Sequence, residues 1–320
     1  MSRLDVVIFG ATGLAGKEVV LHMVKFVKKY DLGAWGIAGR SRGKLETLIA
    51  EVSKKTVHGA DADPLRRAGS RGWSVRGERV RLGQHPRRHG RHLPQAELPS
   101  MAYHSELARL QKALFPEPLP QMKPVVKQKK LQKKDENWYL PFPGADESVV
   151  YRTQRYLYSN EQQRPIQFNA YMKTGTLGRS ILTIFSGLML FLMSKTSCTR
   201  QYLLKYPKYW SGGLVTKEGP TERVVTNSHF TFELVGRGWP DGADVHNSEP
   251  TKTVVAKVSG SNPAYGSTVA AVLSCAAAVL KERHLMPAHG GVMTPGSAFK
   301  NTTLIQKLID NDLKYEIISK

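Results

Sequence analysis

The sequence predicts an α/β fold, and three observations support this. An apolar run at residues 4–9 leads into a glycine-rich turn and then a helical stripe. A second short apolar run, at residues 34–38, follows that stripe and gives the order strand, helix, strand. Further along, alternating apolar segments and a long apolar helical segment predict a C-terminal α/β domain with a mixed or antiparallel sheet covered by helices.

The turn after the first predicted strand is the most informative stretch of the chain. It reads Gly10-Ala11-Thr12-Gly13-Leu14-Ala15-Gly16, with glycines at i, i+3 and i+6. Glycines at this spacing allow a tight turn, a close approach to a pyrophosphate, and packing of the next helix on the strand. We therefore predict a Rossmann-type NAD(P)-binding unit, which the family resemblance given below implies is incomplete. A tight turn without a ligand is the alternative.

The predicted helix at residues 17–29 carries an apolar stripe opposite a lysine-rich face. The second predicted strand ends at Gly39-Arg40-Ser41, where an NAD-binding protein usually has an acidic residue. A guanidinium suits a 2′-phosphate instead, so Arg40 and Ser41 favour NADP over NAD. Alternatively, Arg40 and Arg42 are solvated residues that precede a helix at residues 44–53.

Composition narrows the possible classes of protein. The chain has 320 residues, a net charge of +21 and two cysteines. So few cysteines exclude a disulfide framework, predict a reducing compartment, and give no metal-ligand spacing. We interpret Cys198 and Cys275 as packing residues and expect no metal. Residues 1–3 lead directly into a strand, so no signal or transit peptide is expected.

Residues 57–99 differ from the rest of the chain. This segment contains nine arginines and no lysine, and it shows neither helical nor strand periodicity. We interpret it as atypical and disordered, read from different coding sequence such as a shifted frame or a retained intron. An arginine-rich arm for RNA is the alternative. Because Trp73 is the one aromatic residue that interleaves the arginines, no nucleic-acid partner is expected.

These changes in composition divide the chain into four segments. Residues 1–56 form the N-terminal part of the dinucleotide-binding domain, and residues 57–99 form the atypical segment. Residues 100–136 form a linker rich in proline and lysine, with a short helix at residues 105–114. Residues 137–320 form the C-terminal domain.

Local patterns predict the elements of the C-terminal domain. Alternating apolar residues predict strands at residues 165–172, 230–235 and 253–258. Residues 265–282 predict an apolar helix that Ser267 or Thr268 caps.

Residues 181–193 form the most apolar run, with no charged residue. This run is shorter than the about 20 residues that cross a bilayer. A basic and aromatic stretch follows it, so residues 177–210 suit an anchor on a membrane or lipid-droplet surface. A buried helix with a neighbour across a dimer is the alternative, and a homodimer remains open.

No catalytic acid, base or nucleophile can be named from the sequence. The histidines are scattered without a carboxylate at relay or ligand spacing: His22, His104, His229, His246, His284 and His289. We interpret Asp146, Arg152 and Arg155 as polar residues of specific motifs that order a loop.

Several blocks together resemble the animal saccharopine dehydrogenase-like oxidoreductases. They are Val6-Val7-Ile8-Phe9-Gly10-Ala11-Thr12-Gly13, Ala38-Gly39-Arg40-Ser41, Pro141-Phe142-Pro143-Gly144-Ala145-Asp146, residues 148–155 and residues 290–299. The resemblance implies a Rossmann-type domain, an assumed oxidoreductase activity with a poorly defined substrate, and a link to lipid or glycolipid metabolism. It places Gly10, Thr12, Gly13, Leu14, Gly16, Arg40 and Ser41 at the cofactor positions.

The chain departs from the family after the second strand. Residues 57–99 stand in place of a longer central region that includes the nicotinamide side of the cofactor site. We therefore expect an exposed strand edge and an exposed apolar face. We also expect an oxidoreductase that either keeps its activity or has lost it because the central region is missing. The alternative is a non-catalytic protein of a lipid-droplet or membrane surface. The resemblance implies a membrane or lipid-droplet location on the cytoplasmic side, with the mitochondrion as a second location.

Overall fold

The computed structural model describes residues 4–58, 119–120, 130–211, 213, 216, 221–244 and 248–319. Most of the atypical segment and of the linker, including the helix predicted at residues 105–114, lies outside these residues. So do His104 and His246. The described residues form a mixed α/β structure with small parallel and antiparallel sheets.

The helices and strands of the described residues follow one another in this order: β1 (Val6–Phe9), α1 (Leu14–Tyr30), β2 (Trp35–Ala38), α2 (Arg42–His58), β3 (Gln132–Lys134), β4 (Asn137–Pro141), α3 (Asp146–Glu161), β5 (Tyr171–Gly175), α4 (Leu177–Lys195), α5 (Ser197–Lys205), α6 (Pro207–Trp210), α7 (Glu222–Asn227), β6 (His229–Gly238), β7 (Lys252–Ser261), α8 (Gly266–Lys281), a 3₁₀ turn (Arg283–Leu285), α9 (Pro295–Ala298), α10 (Leu304–Ile309) and β8 (Lys314–Ser319).

The chain divides into two compact units, neither of which is continuous in sequence. Among the described residues, the first unit contains 4–58, 221–244, 248–291 and 298–319. The second contains 119–120, 130–211, 213, 216 and 292–297. The four segments predicted from composition are continuous stretches of sequence, unlike these two units, and they stay a prediction.

In the first unit, β1 and β2 are parallel neighbours with α1 between them in sequence. The register pairs Val6 with Trp35 and Phe9 with Ala38. The Asp5 carboxylate accepts a hydrogen bond from the Ala34 backbone N–H at 2.9 Å, which ties the entry of β2 to the start of β1. The predicted strand, helix, strand order is therefore confirmed, and α1 and α2 are both longer than predicted.

The core of the first unit lies between α1 and α8. Val20, Met23 and Phe26 are the buried residues of α1, at positions three residues apart on one face. They share a cluster of buried side chains with Leu273 and Ala277 of α8. A helix distant in sequence thus packs against the helix that follows the glycine turn.

The predicted exposed apolar face of the small parallel sheet is confirmed for the described residues. Val7 is 53% exposed and Phe9 is 82% exposed, whereas Ile8, which points to the opposite face, is buried. A strand of a parallel sheet is ordinarily covered on both faces. The unit therefore presents one uncovered apolar face.

The second sheet of the first unit has the order β6-β7-β8, and both pairings are antiparallel. The strands predicted at residues 230–235 and 253–258 are confirmed within the longer β6 and β7. The predicted cap of α8 is wrong, because no side chain caps this helix. Ser267 and Thr268 instead donate to the carbonyls of Ser261 and Pro263.

The second unit holds the antiparallel sheet β3-β4-β5 together with α3 and α4. The strand predicted at residues 165–172 is wrong for most of its length, because the strand begins at Tyr171. Residues 165–170 are instead extended chain that α3 fastens: Gln154 accepts from the Ile166 N–H at 2.5 Å, and Tyr151 donates to the Phe168 carbonyl at 3.1 Å. The alternating apolar residues of this segment therefore reflect its packing on α3 and not a strand.

Candidate functional site

The glycine turn between β1 and α1 closes tightly on itself. Gly10 has a φ of +76°, in the left-handed region that favours glycine. Its N–H donates to the Ala38 carbonyl at 3.0 Å, and its own carbonyl accepts from the Gly13 N–H at 2.9 Å. The turn is thereby fixed to the end of β2.

Gly16 is the position at which the turn admits no side chain. A Cβ on Gly16 would lie 2.2 Å from the Gly10 carbonyl oxygen and 3.0 Å from the Ala11 Cα. A Cβ on Gly13 would lie 3.3 Å from the same oxygen. The glycine spacing in the sequence is therefore matched by the packing of the first turn of α1 against the end of β1.

The N-terminus of α1 opens on an exposed surface. Gly13 is the N-cap, no side chain caps the helix, and its first turn contains no acidic residue. Thr12, Gly13 and Leu14 are exposed. Because the first amides of a helix lack intrahelical acceptors, this end offers hydrogen-bond donors and the positive end of the helix dipole.

Arg40 and Ser41 follow β2 at the same edge of the sheet. Since Phe9 pairs with Ala38, the chain leaves β1 and β2 side by side. Arg40 and Ser41 are exposed, and Arg40 makes no side-chain hydrogen bond or ion pair with another described residue. Arg42, in contrast, pairs with Glu46 through its Nε at 2.8 Å. Arg40 is thus the better available anion-binding group of the two.

Where the structure describes them, the other polar residues singled out from the sequence do not form a group that could hold a metal ion. Asp146, Arg152 and Arg155 belong to α3, and their role in ordering a loop stays a prediction. The His22 Nδ1 donates a hydrogen bond to the Glu18 carbonyl oxygen at 2.9 Å within α1. Among the described residues, no group of three or more His, Cys, Asp or Glu side chains could hold a metal ion.

The two cysteines have different environments. Burial raises the pKa of the Cys275 thiol, which agrees with a packing role because the thiolate is the reactive form. Cys198 is exposed at the start of α5, so its interpretation as a packing residue is wrong.

Sequence reasoning missed a hydroxyl cluster in the second unit. Thr153 of α3 hydrogen-bonds Thr294 at 2.6 Å, and Thr294 hydrogen-bonds Ser297 at 2.9 Å. A Cβ on Gly296 would lie 2.8 Å from the Thr153 methyl carbon, so the chain passes close to α3 here. These residues lie in two blocks of the resemblance, which was the available signal. These hydrogen bonds connect the segment that contains Thr294 and Ser297 to α3.

Helix α4 is apolar and exposed along its length. It has 19 residues, and its most apolar stretch of 18 residues has a mean hydropathy of 1.6, with 6% of that stretch buried. Ser180 is its only buried residue. Its exposed apolar side chains are Leu177, Ile181, Leu182, Ile184, Phe185, Leu188, Met189, Leu190, Phe191 and Leu192. Burial of α4 within one chain is therefore wrong for the described residues, whereas its burial against a second copy of the chain stays a prediction.

The expectation that the apolar segment is too short to cross a bilayer also needs correction. The apolar run at residues 181–193 is short, but the helix extends from Leu177 to Lys195. At 1.5 Å per residue its length is about 28 Å, close to the hydrocarbon thickness of about 30 Å. By length and composition, α4 is sufficient to cross a membrane.

The helices after α4 carry aromatic and basic side chains together. The Tyr202 and Tyr206 rings lie 5.2 Å apart, and the Tyr206 and Tyr209 rings lie 6.2 Å apart. The Lys205 Nζ lies 5.3 Å from the centroid of the Tyr206 ring. Tyr209 is 80% exposed. Such amphipathic groups are typical of the headgroup region of a membrane.

Several curated proteins are similar to this chain. A saccharopine dehydrogenase-like oxidoreductase of Pongo abelii is 33% identical over 218 residues, which is 67% of this chain and 51% of that protein. A probable mitochondrial saccharopine dehydrogenase-like oxidoreductase of Arabidopsis thaliana is 33% identical over 206 residues, 57% of this chain and 45% of that protein. A lipid droplet localized protein of Caenorhabditis elegans is 28% identical over 184 residues, 57% of this chain and 43% of that protein.

No protein-family model and no solved structure matches the chain. The chain spans about half the length of the curated relatives it matches. The relatives named as saccharopine dehydrogenase-like oxidoreductases come from animals and a plant, and their identities lie in the range that indicates common descent. On the residues that these comparisons match, the chain belongs to the saccharopine dehydrogenase-like oxidoreductase family.

Proposed function

We propose that the β1-α1-β2 unit is a Rossmann-type unit that binds a dinucleotide, NADP in preference to NAD. The observation that carries this proposal is the glycine turn at the exposed N-terminus of α1, beside the exposed Arg40. The pyrophosphate would accept hydrogen bonds from the amides of the turn and of the first helical residues. Gly10, Thr12, Gly13, Leu14 and Gly16 are the proposed residues at this end.

Arg40 and Ser41 supply the proposed selectivity for NADP. A guanidinium and a 2′-phosphate form a bidentate, charge-assisted pair, whereas the 2′-hydroxyl of NAD offers it no charge. The register of the sheet supports this assignment, because β1 and β2 end side by side. The glycine turn and Arg40 would then contact two parts of one extended ligand.

The test is a titration of the full-length chain with NADPH and NADH, followed by nicotinamide fluorescence. A charge-assisted hydrogen bond contributes about 1.5–3 kcal/mol, so Arg40→Ser should weaken NADPH binding about 10- to 100-fold. NADH binding should stay nearly unchanged. Arg42→Ser is the matched control, since Arg42 already pairs with Glu46, and its effect on NADPH should be much smaller.

Two results would contradict the proposal. If neither nucleotide binds the wild-type chain, the glycine turn is a tight turn without a ligand. If Arg40→Ser weakens NADPH and NADH equally, Arg40 does not contact the 2′-phosphate.

We propose as a second function that the chain attaches to a lipid surface through residues 177–210. The observation that favours it is the exposure of α4, whose Ile181, Phe185 and Leu190 are 59%, 61% and 43% exposed. A helix that is apolar on all sides is stable when lipid or protein covers it. The basic and aromatic residues of α5 and α6 suit the adjoining headgroups.

The names of two relatives agree with a lipid or organelle location. The worm relative is named for lipid droplets and the plant relative for the mitochondrion. We propose a lipid-droplet or membrane surface for this chain, on the cytoplasmic side, with the mitochondrion as the second location. A lipid-linked substrate, as in glycolipid metabolism, would then lie in the surface to which the chain attaches.

Flotation with liposomes or lipid droplets tests this second function. Leu190→Glu places a charge on α4 and should move the chain from the floating fraction to the soluble one, because an ionised carboxylate in hydrocarbon is costly. Ile305→Glu is the matched control, since Ile305 is 61% exposed on α10 of the other unit. It should float like the wild type.

The two experiments together distinguish an enzyme from a non-catalytic protein of a lipid surface. A chain that binds NADPH and floats supports an NADP-dependent oxidoreductase acting at a lipid surface. A chain that floats without binding either nucleotide is the non-catalytic lipid-surface protein. If both wild type and Leu190→Glu stay soluble, the lipid function is wrong.

A further inference from the structure

Strand β6 is an edge strand with a largely exposed surface. It pairs with β7 along its whole length, and no described strand pairs with its other side. Phe232, Leu234 and Val235 are 58%, 45% and 48% exposed. An exposed edge of this length carries backbone groups that can pair with another strand.

The central sequence of β6 is complementary to itself when reversed. It reads Phe232-Glu233-Leu234-Val235-Gly236-Arg237-Gly238. In an antiparallel pair of two copies centred on Val235, Glu233 lies opposite the second copy's Arg237. Leu234 then lies opposite Gly236, and Phe232 lies opposite Gly238.

The two glycines leave open space for these large side chains. A Cβ on Gly238 would meet nothing within 4 Å, and one on Gly236 would meet only the Val254 carbonyl oxygen at 3.8 Å. Packing within the chain therefore does not require glycine at either position. An aromatic or aliphatic side chain lying across a strand glycine stabilises an antiparallel pair.

We propose that a second copy of this chain pairs with β6 along this edge, about a two-fold axis at Val235. The pairing joins the two β6-β7-β8 sheets into one continuous antiparallel sheet. It forms two Glu233–Arg237 ion pairs across the axis and covers the exposed Phe232 and Leu234 side chains in part. Such an interface is isologous, as two-fold symmetry requires.

Charge selects this register among its neighbours. A pair centred on Glu233 would place two carboxylates directly opposite each other, which destabilises a strand pair. A pair centred on Leu234 would place Glu233 opposite Val235 and leave Arg237 opposite Thr231. Only the register centred on Val235 places Glu233 opposite Arg237 and also places both glycines opposite the large side chains of Phe232 and Leu234.

Disulfide trapping in the full-length chain tests this register. In a Cys198→Ser, Cys275→Ser background in neutral detergent, Val235→Cys should form a covalent dimer under mild oxidation. Directly opposed residues of an antiparallel pair have Cα atoms about 4.5–5.5 Å apart, within disulfide range. Thr231→Cys is the matched control, because its two copies would lie eight residues apart, about 27 Å.

A charge-reversal cycle in the Val235→Cys background tests the ion pairs. Glu233→Arg places like charges opposite each other and should reduce the trapped dimer several-fold, as should Arg237→Glu. The double variant restores opposite charges and should recover the dimer. Within one chain, Glu233 lies opposite Lys257 of β7 in the strand register. Thermal unfolding of each variant, measured in parallel, therefore separates a loss of folding from a loss of pairing.

Three results would overturn the proposal. One is the absence of a Val235→Cys dimer, and another is equal trapping of Thr231→Cys, which indicates random collision. The third is a double variant that folds like the wild type but pairs no better than the single variants. These results are independent of nucleotide binding and of flotation, so they do not depend on the proposed function.

Discussion

At the scale of single residues, the glycines of the first turn differ in what they do. Gly10 needs a left-handed backbone, whereas Gly16 needs the absence of a side chain. The sequence predicted both roles, because the spacing of the glycines fixes their places at the end of the strand and in the first helical turn. The structure adds the identity of the atom that a side chain would meet.

Gly16→Ala should therefore destabilise the chain. Its Cβ would lie 2.2 Å from the Gly10 oxygen, so the backbone must shift at a cost of about 1–3 kcal/mol. Gly43→Ala is the control: a Cβ there meets nothing within 4 Å, and alanine should stabilise α2 by about 0.5–1 kcal/mol. Urea unfolding measures both free energies, and equal effects would contradict the close approach.

Glu282 illustrates an interaction that the sequence did not indicate. Burial alone would raise the pKa of this carboxyl, but hydrogen bonds from Lys307 and Thr303 outweigh it and lower the pKa to about 2. The Thr303 N–H and hydroxyl each donate at 2.7 Å. Glu282 thereby ties the end of α8 to the start of α10.

This pair should make stability depend on pH in the acid range. Because the folded pKa lies below the ordinary value of 4.5, the stabilisation is present above about pH 4.5 and is lost as the pH falls towards 2. Because water screens this partly exposed site, the stabilisation at neutral pH is reduced to on the order of 1 kcal/mol. Glu282→Gln should therefore lower the free energy of unfolding at pH 7 more than at pH 3. An equal loss at both pH values would show that the charge is not involved.

At the scale of elements, α8 is an apolar helix with one buried side and one exposed side. Leu273 is 2% exposed against α1, whereas its neighbour Val272 is 52% exposed. The apolar pattern predicted the helix but not which of its apolar residues lie in the core, because nearly every position in it is small or apolar. The position of α1 decides this.

Leu273→Ala should cost about 2–5 kcal/mol of unfolding free energy, since it leaves a cavity in the core. Val272→Ala should change the stability by less than about 1 kcal/mol, because little buried surface is lost and alanine is the better helix former. Chemical unfolding of both variants compares them directly. A larger loss for Val272→Ala would mean that another surface covers the exposed face of α8.

At the scale of the whole molecule, charge and the apolar helix act together. The net charge is +21, and Arg179 and Lys195 flank the apolar part of α4. A positive protein is drawn to anionic lipid, and salt screens this attraction. The apolar contacts of an inserted helix are not screened.

Salt should therefore affect capture and retention differently. High salt during mixing should reduce capture of the chain by anionic vesicles, whereas a high-salt wash after binding should release little of it. Flotation before and after the wash, with neutral vesicles as the control, measures both. Complete release by the wash would mean that α4 does not enter the lipid.

The sequence by itself determined the order β1-α1-β2, the glycine turn, the strands β6 and β7, and the helix α8. These depend on residues close together in the chain, where spacing and periodicity act directly. The tertiary structure decided which apolar surfaces stay exposed, how Thr153 meets Thr294, and how Glu282 meets Lys307. Such contacts join residues distant in sequence, so local pattern carries no information about them; packing alone brings them together.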